Sequence, residues 1–328
     1  MALEVLARST EGRVSMLSMF LICPDSNQPR VHKREAVLRK LAPTRAAGFE
    51  RPYYPDSSFA KVADYVSLGK LSYSIVRRLP SILRAIFIVR KLKYNDDVLY
   101  AFSLDTYLLG RLAGFPPGIL EVSDLRARGK HNPVIKLIEN WVLRDCKAVV
   151  LTSLGFATSY NEERLSRGTK VHLIENKMDR KFSGRRPAIE PLGSEKLRIG
   201  LIGLLRFKRP IEYLLKAVIE SSNLQVVCYG DGPYRHLVEN LGNPKIEYYG
   251  PFSNPDELER VYKGVDVNFV VYDTRIQNVR VAIPNKLYES IFFTTPILAA
   301  EGTKLGEEVS AKGLGECLSL ASYKAFQE

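Results

Sequence analysis

Ala282-Ile283-Pro284-Asn285-Lys286-Leu287-Tyr288-Glu289-Ser290, followed by Thr295-Pro296-Ile297-Leu298, reads as a helix start and the strand that the helix feeds. Pro284 marks the start, since its fixed φ suits a first helical turn and its missing N–H is not needed there. A helix beginning at Asn285 points free backbone N–H groups and a partial positive charge at whatever lies in front of it. Lys286 adds a full positive charge at the same end. Glu289 is four residues past Asn285, so the two share a helix face. A diphosphate at the tip and a vicinal diol one turn deeper match this layout, because a carboxylate offers two acceptor oxygens to two hydroxyl donors. An ordinary capped amphipathic helix of an α/β domain carries the same letters, and the segment alone leaves both readings open.

Outward from this helix the pattern is regular. Apolar strand-like runs occur at Leu197–Ile202, Leu224–Tyr229, Ile246–Tyr249, Val265–Val271 and Pro296–Ala300. Helix-like segments separate them at Ile211–Ile219, Tyr234–Leu241, Pro255–Tyr262 and Asn285–Phe293. Alternating strands and helices predict a parallel sheet covered on both faces, with ligands outside the carboxyl ends of the strands. The first half alternates in the same style. Its strand candidates are Ser15–Ile22, Val98–Ala101, Gly118–Val122 and Ala148–Leu151; its helix candidates are Val31–Leu41, Ile82–Val89, Thr106–Leu112 and Pro133–Arg144. Between the halves, Met178–Lys196 carries Gly184, Pro187, Pro191 and Gly193 without periodicity, which reads as a linker. The expected division is therefore 1–177, a linker at 178–196, and 197–328.

A chain of 328 residues with a 45% hydrophobic fraction is long enough for two domains and too apolar for a disordered protein. No apolar stretch approaches the roughly 20 residues that span a bilayer. Met1 to Arg13 holds Glu4 and Glu11 and no apolar core, so no signal peptide is expected there and the protein is expected in the cytoplasm. Cys23, Cys146, Cys228 and Cys317 form no C-x-x-C pair and are expected to be reduced core residues. His32, His131, His172 and His236 suggest no metal site by their spacing, and none is expected.

The net charge of +12 is unevenly placed: residues 1–180 hold 29 basic and 18 acidic residues, residues 181–328 hold 19 and 18. Between Tyr65 and Tyr94 lie Lys70, Arg77, Arg78, Arg84, Arg90, Lys91 and Lys93 with no acidic residue. Ile82, Leu83, Ile86 and Phe87 are interleaved at helical spacing behind Pro80. The combination reads as a basic amphipathic helix able to lie on anionic lipid, the alternative being a solvated face. Nucleic acid is not expected, since no binding motif is present.

Four loops after strands carry candidate chemistry. In Gly203-Leu204-Leu205-Arg206-Phe207-Lys208, Gly203 lets the backbone approach a ligand while Arg206 and Lys208 are placed to neutralise an anion. Gly230-Asp231-Gly232-Pro233 is a tight turn, Tyr249-Gly250-Pro251-Phe252 follows the third strand, and the fourth element is the Pro284–Glu289 helix start. In this order the four resemble the donor site of GT-B nucleotide-sugar-dependent glycosyltransferases, in particular the large retaining glycosyltransferase family 4. The resemblance covers about 120 residues of the second half.

It implies two doubly wound Rossmann-like domains facing each other across a cleft. The first is the acceptor side and the second binds the nucleotide-sugar donor. Arg206 and Lys208 would hold the departing diphosphate, as would Lys286 with Pro284 and Asn285. Phe252 would lie beside the base, Gly203 would admit the ligand, and Glu289 would hold the ribose. In the first half, Asp25-Ser26-Asn27-Gln28-Pro29-Arg30-Val31 with Lys33-Arg34-Glu35, and Glu121-Val122-Ser123-Asp124, resemble the family more weakly. They suggest Asn27, Arg30 and Asp124 on the acceptor side, with cap or turn roles as the alternative. Thr152-Ser153-x-Gly155-Phe156 and Ile174-Glu175-Asn176 resemble closing elements of that domain.

One departure stands out. Many relatives carry an acid eight residues before the matched glutamate, and here that position is Val281. The resemblance implies a metal-independent, retaining hexosyltransferase acting on a glycan or lipid-linked glycan in bacterial-type surface polysaccharide or glycolipid synthesis. It would be cytoplasmic or peripheral on the inner face of the plasma membrane, with no cofactor besides the nucleotide-sugar substrate. In that class of mechanism the leaving phosphate takes the acceptor proton. The alternative is a non-catalytic GT-B subunit that binds a nucleotide or a partner protein. Val281 speaks for it, as does the chain's end at Glu328 where relatives usually continue with a returning helix.

Overall fold

The computed structural model describes residues 17–25, 28–50, 64–70, 75–124, 133–157, 168–178 and 196–327. The chain divides into two compact units: Met1–Thr152 with Phe156–Ile174, and Ser153–Gly155 with Glu175–Glu328. Most of the expected linker, 179–195, lies outside the described residues.

The first unit is built on a seven-stranded sheet in the order β3-β2-β1-β4-β5-β6-β7, every pairing parallel. Its strands are β1 (Ser18–Cys23), β2 (Thr44–Glu50), β3 (Tyr65–Lys70), β4 (Asp97–Ala101), β5 (Ile119–Val122), β6 (Ala148–Leu151) and β7 (Lys170–Leu173). Its helices are α1 (Pro29–Leu38), α2 (Ile75–Leu92), α3 (Leu104–Leu112) and α4 (Pro133–Asp145). Met19, Leu21, Ile22 and Cys23 of β1 are wholly buried. Such a continuous apolar run is the signature of a central strand with helices on both faces. The order reverses between β1 and β4, the place where an open α/β sheet leaves a crevice.

The second unit repeats the plan with six parallel strands in the order β10-β9-β8-β11-β12-β13. These are β8 (Leu197–Leu204), β9 (Leu224–Asp231), β10 (Ile246–Tyr248), β11 (Val267–Val270), β12 (Ile297–Ala300) and β13 (Gly315–Leu318). The helices are α5 (Lys208–Glu220), α6 (His236–Glu239), α7 (Leu258–Lys263), α8 (Gln277–Val281), α9 (Asn285–Phe292), α10 (Lys304–Ala311) and α11 (Tyr323–Gln327). Helix α5 shows why the unit closes: Ile211, Leu214, Leu215 and Val218 recur at helical spacing and pack on Ile199, Val226 and Phe269 of the sheet. The switch point here falls between β8 and β11.

Several elements differ from the expectation. Pro80 lies inside α2, which starts upstream at Ile75. Tyr65–Lys70, read as part of a basic helical segment, is the edge strand β3. Strand β2 (Thr-Arg-Ala-Ala-Gly-Phe-Glu) went unread because Ala and Gly have little intrinsic strand preference; burial against β1 decides it.

Candidate functional site

In the second unit the crevice is shaped by glycine backbone. Gly203, the last but one residue of β8, has φ +103, a conformation open to glycine and strained for other residues. A Cβ added at Gly230 would lie 1.8 Å from the Gly203 carbonyl oxygen, so the ends of β8 and β9 touch main chain to main chain. The Gly230 N–H in turn donates to the Gly250 carbonyl at 2.7 Å, which draws in the loop after β10.

Helix α9 meets this floor. Pro284 is its N-cap, extended and without a side-chain cap bond, so its first-turn N–H groups are not taken by a capping side chain. A Cβ on Gly203 would lie 3.4 Å from Cε and 3.9 Å from Nζ of Lys286, which places the ammonium beside the β8 terminus. Lys286 Nζ donates to Glu289 Oε2 at 2.6 Å, and the pair is almost wholly buried, at 12% and 3% side-chain exposure. Nζ also stands 5.7 Å from the Phe252 ring centroid. The Tyr262 hydroxyl donates to Glu289 Oε2 at 3.0 Å, and Asn254 Nδ2 approaches Oε1 at 3.5 Å. Behind Tyr262, Asn268 Nδ2 donates to its hydroxyl at 3.2 Å and to Ser290 Oγ at 2.8 Å, a buried polar chain under the helix. Burial, then the Glu289 charge, push the Tyr262 hydroxyl well above its ordinary pKa, so it remains a donor. Tyr272 is raised to about 12, by burial foremost, with Arg206 opposing and Glu289 adding.

Gly203, Phe252, Pro284, Asn285, Lys286 and Glu289 thus gather at one switch point. Arg206 is exposed on the loop after β8, its guanidinium 4.8 Å from the Phe207 ring centroid. Lys208 opens α5 and pairs with Glu212 along that helix at 3.5 Å, an exposed contact turned to the surface. Tyr262 and Asn254 were not singled out from sequence, because a tyrosine in an apolar helix and an asparagine in a loop carry no local mark. At Val281 the main chain is engaged: Ser153 Oγ donates to its carbonyl at 2.8 Å, and a Cβ at Gly155 would lie 2.1 Å from that oxygen. Glu175 accepts from the Tyr288 hydroxyl at 2.7 Å. Among the described residues no three His, Cys, Asp or Glu side chains come together as a metal site.

In the first unit a concavity of about 160 Å³ opens at the carboxyl ends of β1, β4 and β5, lined among others by Arg30, Ser103, Glu121 and Asp124. Arg30 donates to the Phe102 carbonyl at 3.3 Å and to Gln28 Oε1 at 3.0 Å; Asp124 is exposed. Asn27 lies outside the described residues. Glu121, quoted beside Asp124 from sequence but given no role there, is wholly buried. Its Oε2 accepts from Arg34 Nε at 2.8 Å and from the Tyr100 hydroxyl, while Oε1 has no partner among the described residues. A carboxylate in the run Ile-Leu-Glu-Val was the available signal, since a charge in a buried strand needs a reason.

Two parallel switch-point sheets, one bearing a basic helix tip and buried carboxylate beside a glycine floor, define the GT-B class of fold. Among solved structures the chain matches Anabaena HepE in complex with UDP and glucose, with a TM-score of 0.64 at 14% identity over 94% of this chain and 88% of that one. It matches sucrose-phosphate synthase from Thermosynechococcus elongatus with a TM-score of 0.67 at 16% identity, over 94% and 88%. In sequence it is 23% identical to the succinoglycan biosynthesis protein ExoL of Rhizobium meliloti, over 95% of this chain and 83% of that protein. No protein-family profile matches the chain.

Proposed function

We propose that the protein is a glycosyltransferase that moves a sugar from a nucleotide-diphosphate donor to a hydroxyl of a glycan or lipid-linked glycan. The observation that carries this reading is the Gly203–Lys286–Glu289 constellation at the β8/β11 switch point. Lys286, Arg206 and the first turn of α9 meet the diphosphate, whose developing charge is the main electrostatic task of the transfer. Glu289 takes the ribose diol, held from behind by Tyr262. The leaving phosphate accepts the acceptor's proton on the same face, so configuration is retained, and cationic side chains replace a metal. Likeness to ExoL and to HepE with bound UDP and glucose supports a nucleotide-sugar donor and a polysaccharide product. The acceptor side is the Arg30–Asp124 concavity of the first unit. The basic helix α2 suits peripheral attachment to an anionic membrane carrying a lipid-linked acceptor.

Calorimetric titration with UDP, GDP and ADP in chelator is expected to give binding for at least one. Binding that appears only with Mg²⁺ or Mn²⁺ would overturn the metal-free donor site. The non-catalytic alternative draws on Val281; it predicts nucleotide binding without donor hydrolysis or transfer when membrane extract is supplied.

A further inference from the structure

Helix α4 carries an exposed apolar stripe. Val142 and Leu143 are wholly buried against the first unit. On another face Val134, Leu137, Ile138 and Trp141 are 61%, 70%, 37% and 45% exposed. Their spacing of i, i+3, i+4 and i+7 keeps them within about 100° of the helix circumference. Single exposed apolar residues are ordinary on a protein surface, whereas a contiguous patch marks an interaction site.

The stripe has neighbours of the same kind. Helix α4 packs against α3 and α3 against α2, so the three cover one face of the sheet. On α2, Ala85 and Val89 are buried while Leu83 and Phe87 are 59% and 60% exposed. Arg84, Arg90 and Lys91 are exposed around them, with Lys91 Nζ 4.4 Å from the Phe87 ring centroid. No acidic residue lies on α2, and the acids of α3 and α4 are balanced by Arg111, Lys136 and Arg144 on the same helices. The layer is thus apolar at the crests of α2 and α4 and basic along α2. A tryptophan among leucines beside arginines is the composition of a surface that seats in the headgroup region of a bilayer.

We propose that α2, α3 and α4 form one docking face for an anionic bilayer. Basic residues of α2 hold headgroups and the Val134–Leu137–Trp141 stripe of α4 enters the acyl boundary. The inference rests on the proposed membrane attachment and extends it from a charge contact to an insertion element; it is independent of the donor site. The face needs both parts, since charge alone gives loose, salt-sensitive binding and apolar contact alone does not select anionic lipid.

Trp141 is the chain's single tryptophan and reports on its own surroundings. The full chain is mixed with phosphatidylcholine vesicles, with and without phosphatidylglycerol, at low and high salt. Tryptophan emission is expected to shift to shorter wavelength, and to be quenched by brominated acyl chains, with the anionic vesicles alone. Arg84→Gln/Arg90→Gln/Lys91→Gln should lower vesicle affinity on the order of a hundredfold, at about one kcal/mol per basic group. Val134→Gln/Leu137→Gln should keep salt-sensitive attachment and lose the acyl-chain quenching. Three results overturn the proposal: no vesicle binding, vesicle-bound protein whose Trp141 stays unshifted, or the same shift on raising protein concentration without lipid, which would mean pairing of two copies. Nucleotide titration of the same samples separates failure of docking from failure of the glycosyltransferase reading.

Discussion

Glu289 has one role proposed for it and one that the structure shows. As a ribose acceptor its loss should weaken nucleotide binding by about 1.5–3 kcal/mol, the worth of a charged hydrogen bond. It is also the buried counter-charge of Lys286. Glu289→Gln keeps the shape and an acceptor for Tyr262 but strands the ammonium, and breaking one side of a buried pair costs about 3–5 kcal/mol at full burial. The expected outcome is lower affinity by calorimetry together with a lower Tm in the unliganded protein. Saturating nucleotide should recover part of the Tm deficit, because the diphosphate gives Lys286 a new partner. Unchanged affinity with a normal melt would remove Glu289 from the site. None of this second role is visible in the letters P-N-K-L-Y-E, since the pairing depends on how deeply α9 is set into the unit.

At the scale of elements, the β8 and β9 termini form one rigid floor. The Gly230→Ala methyl would sit 1.8 Å from the Gly203 carbonyl oxygen, a main-chain atom with no freedom to retreat. The substitution should destabilise the protein by about 3–5 kcal/mol, the range of severe backbone and packing clashes. Chemical denaturation reads the stability; a cost below about 1 kcal/mol would show that the two strand ends are not in contact. The elements most legible in sequence were those with continuous apolar runs or clear helical period: β8, β9, β11, β12, α5 and α9 all lie where the pattern put them, with ends moved by a few residues. Strands β2, β3, β7 and β13 were missed; β3, β7 and β13 are edge strands and β2 lies next to one, where apolar content is low. Helix α2 was placed correctly in its second half, while its first turns run through Pro80, which local rules treat as a boundary.

For the whole molecule, a nucleotide that binds only the second unit should stabilise that unit alone. At a concentration of one hundred times Kd the gain is about 2.7 kcal/mol. Scanning calorimetry is expected to resolve a component that moves upward with UDP, or with whichever nucleotide binds, and a component that does not. A uniform shift of a single two-state transition would mean that the units unfold as one and that the division has no thermodynamic counterpart.

The sequence by itself determined that this is an α/β chain of two parallel-sheet halves, because a strand buried on both faces must be apolar throughout and its crossover helix amphipathic. It also marked the loops proposed to bind the donor, since glycine at strand ends, a basic loop and Pro-Asn-Lys before a helix each have a local physical cause. Only the tertiary structure decided which charges meet. Lys208 looked equivalent to Lys286 as a cation near a helix start, yet one pairs along its own exposed helix and the other is buried against Glu289. Tyr262 and the partners of Glu121 became visible only when strands and helices distant in sequence closed around them, since burial is a property of packing. The apolar stripe of α4 is the converse case: its period reads as a core face, and only the fold shows that the core lies on another side of the helix.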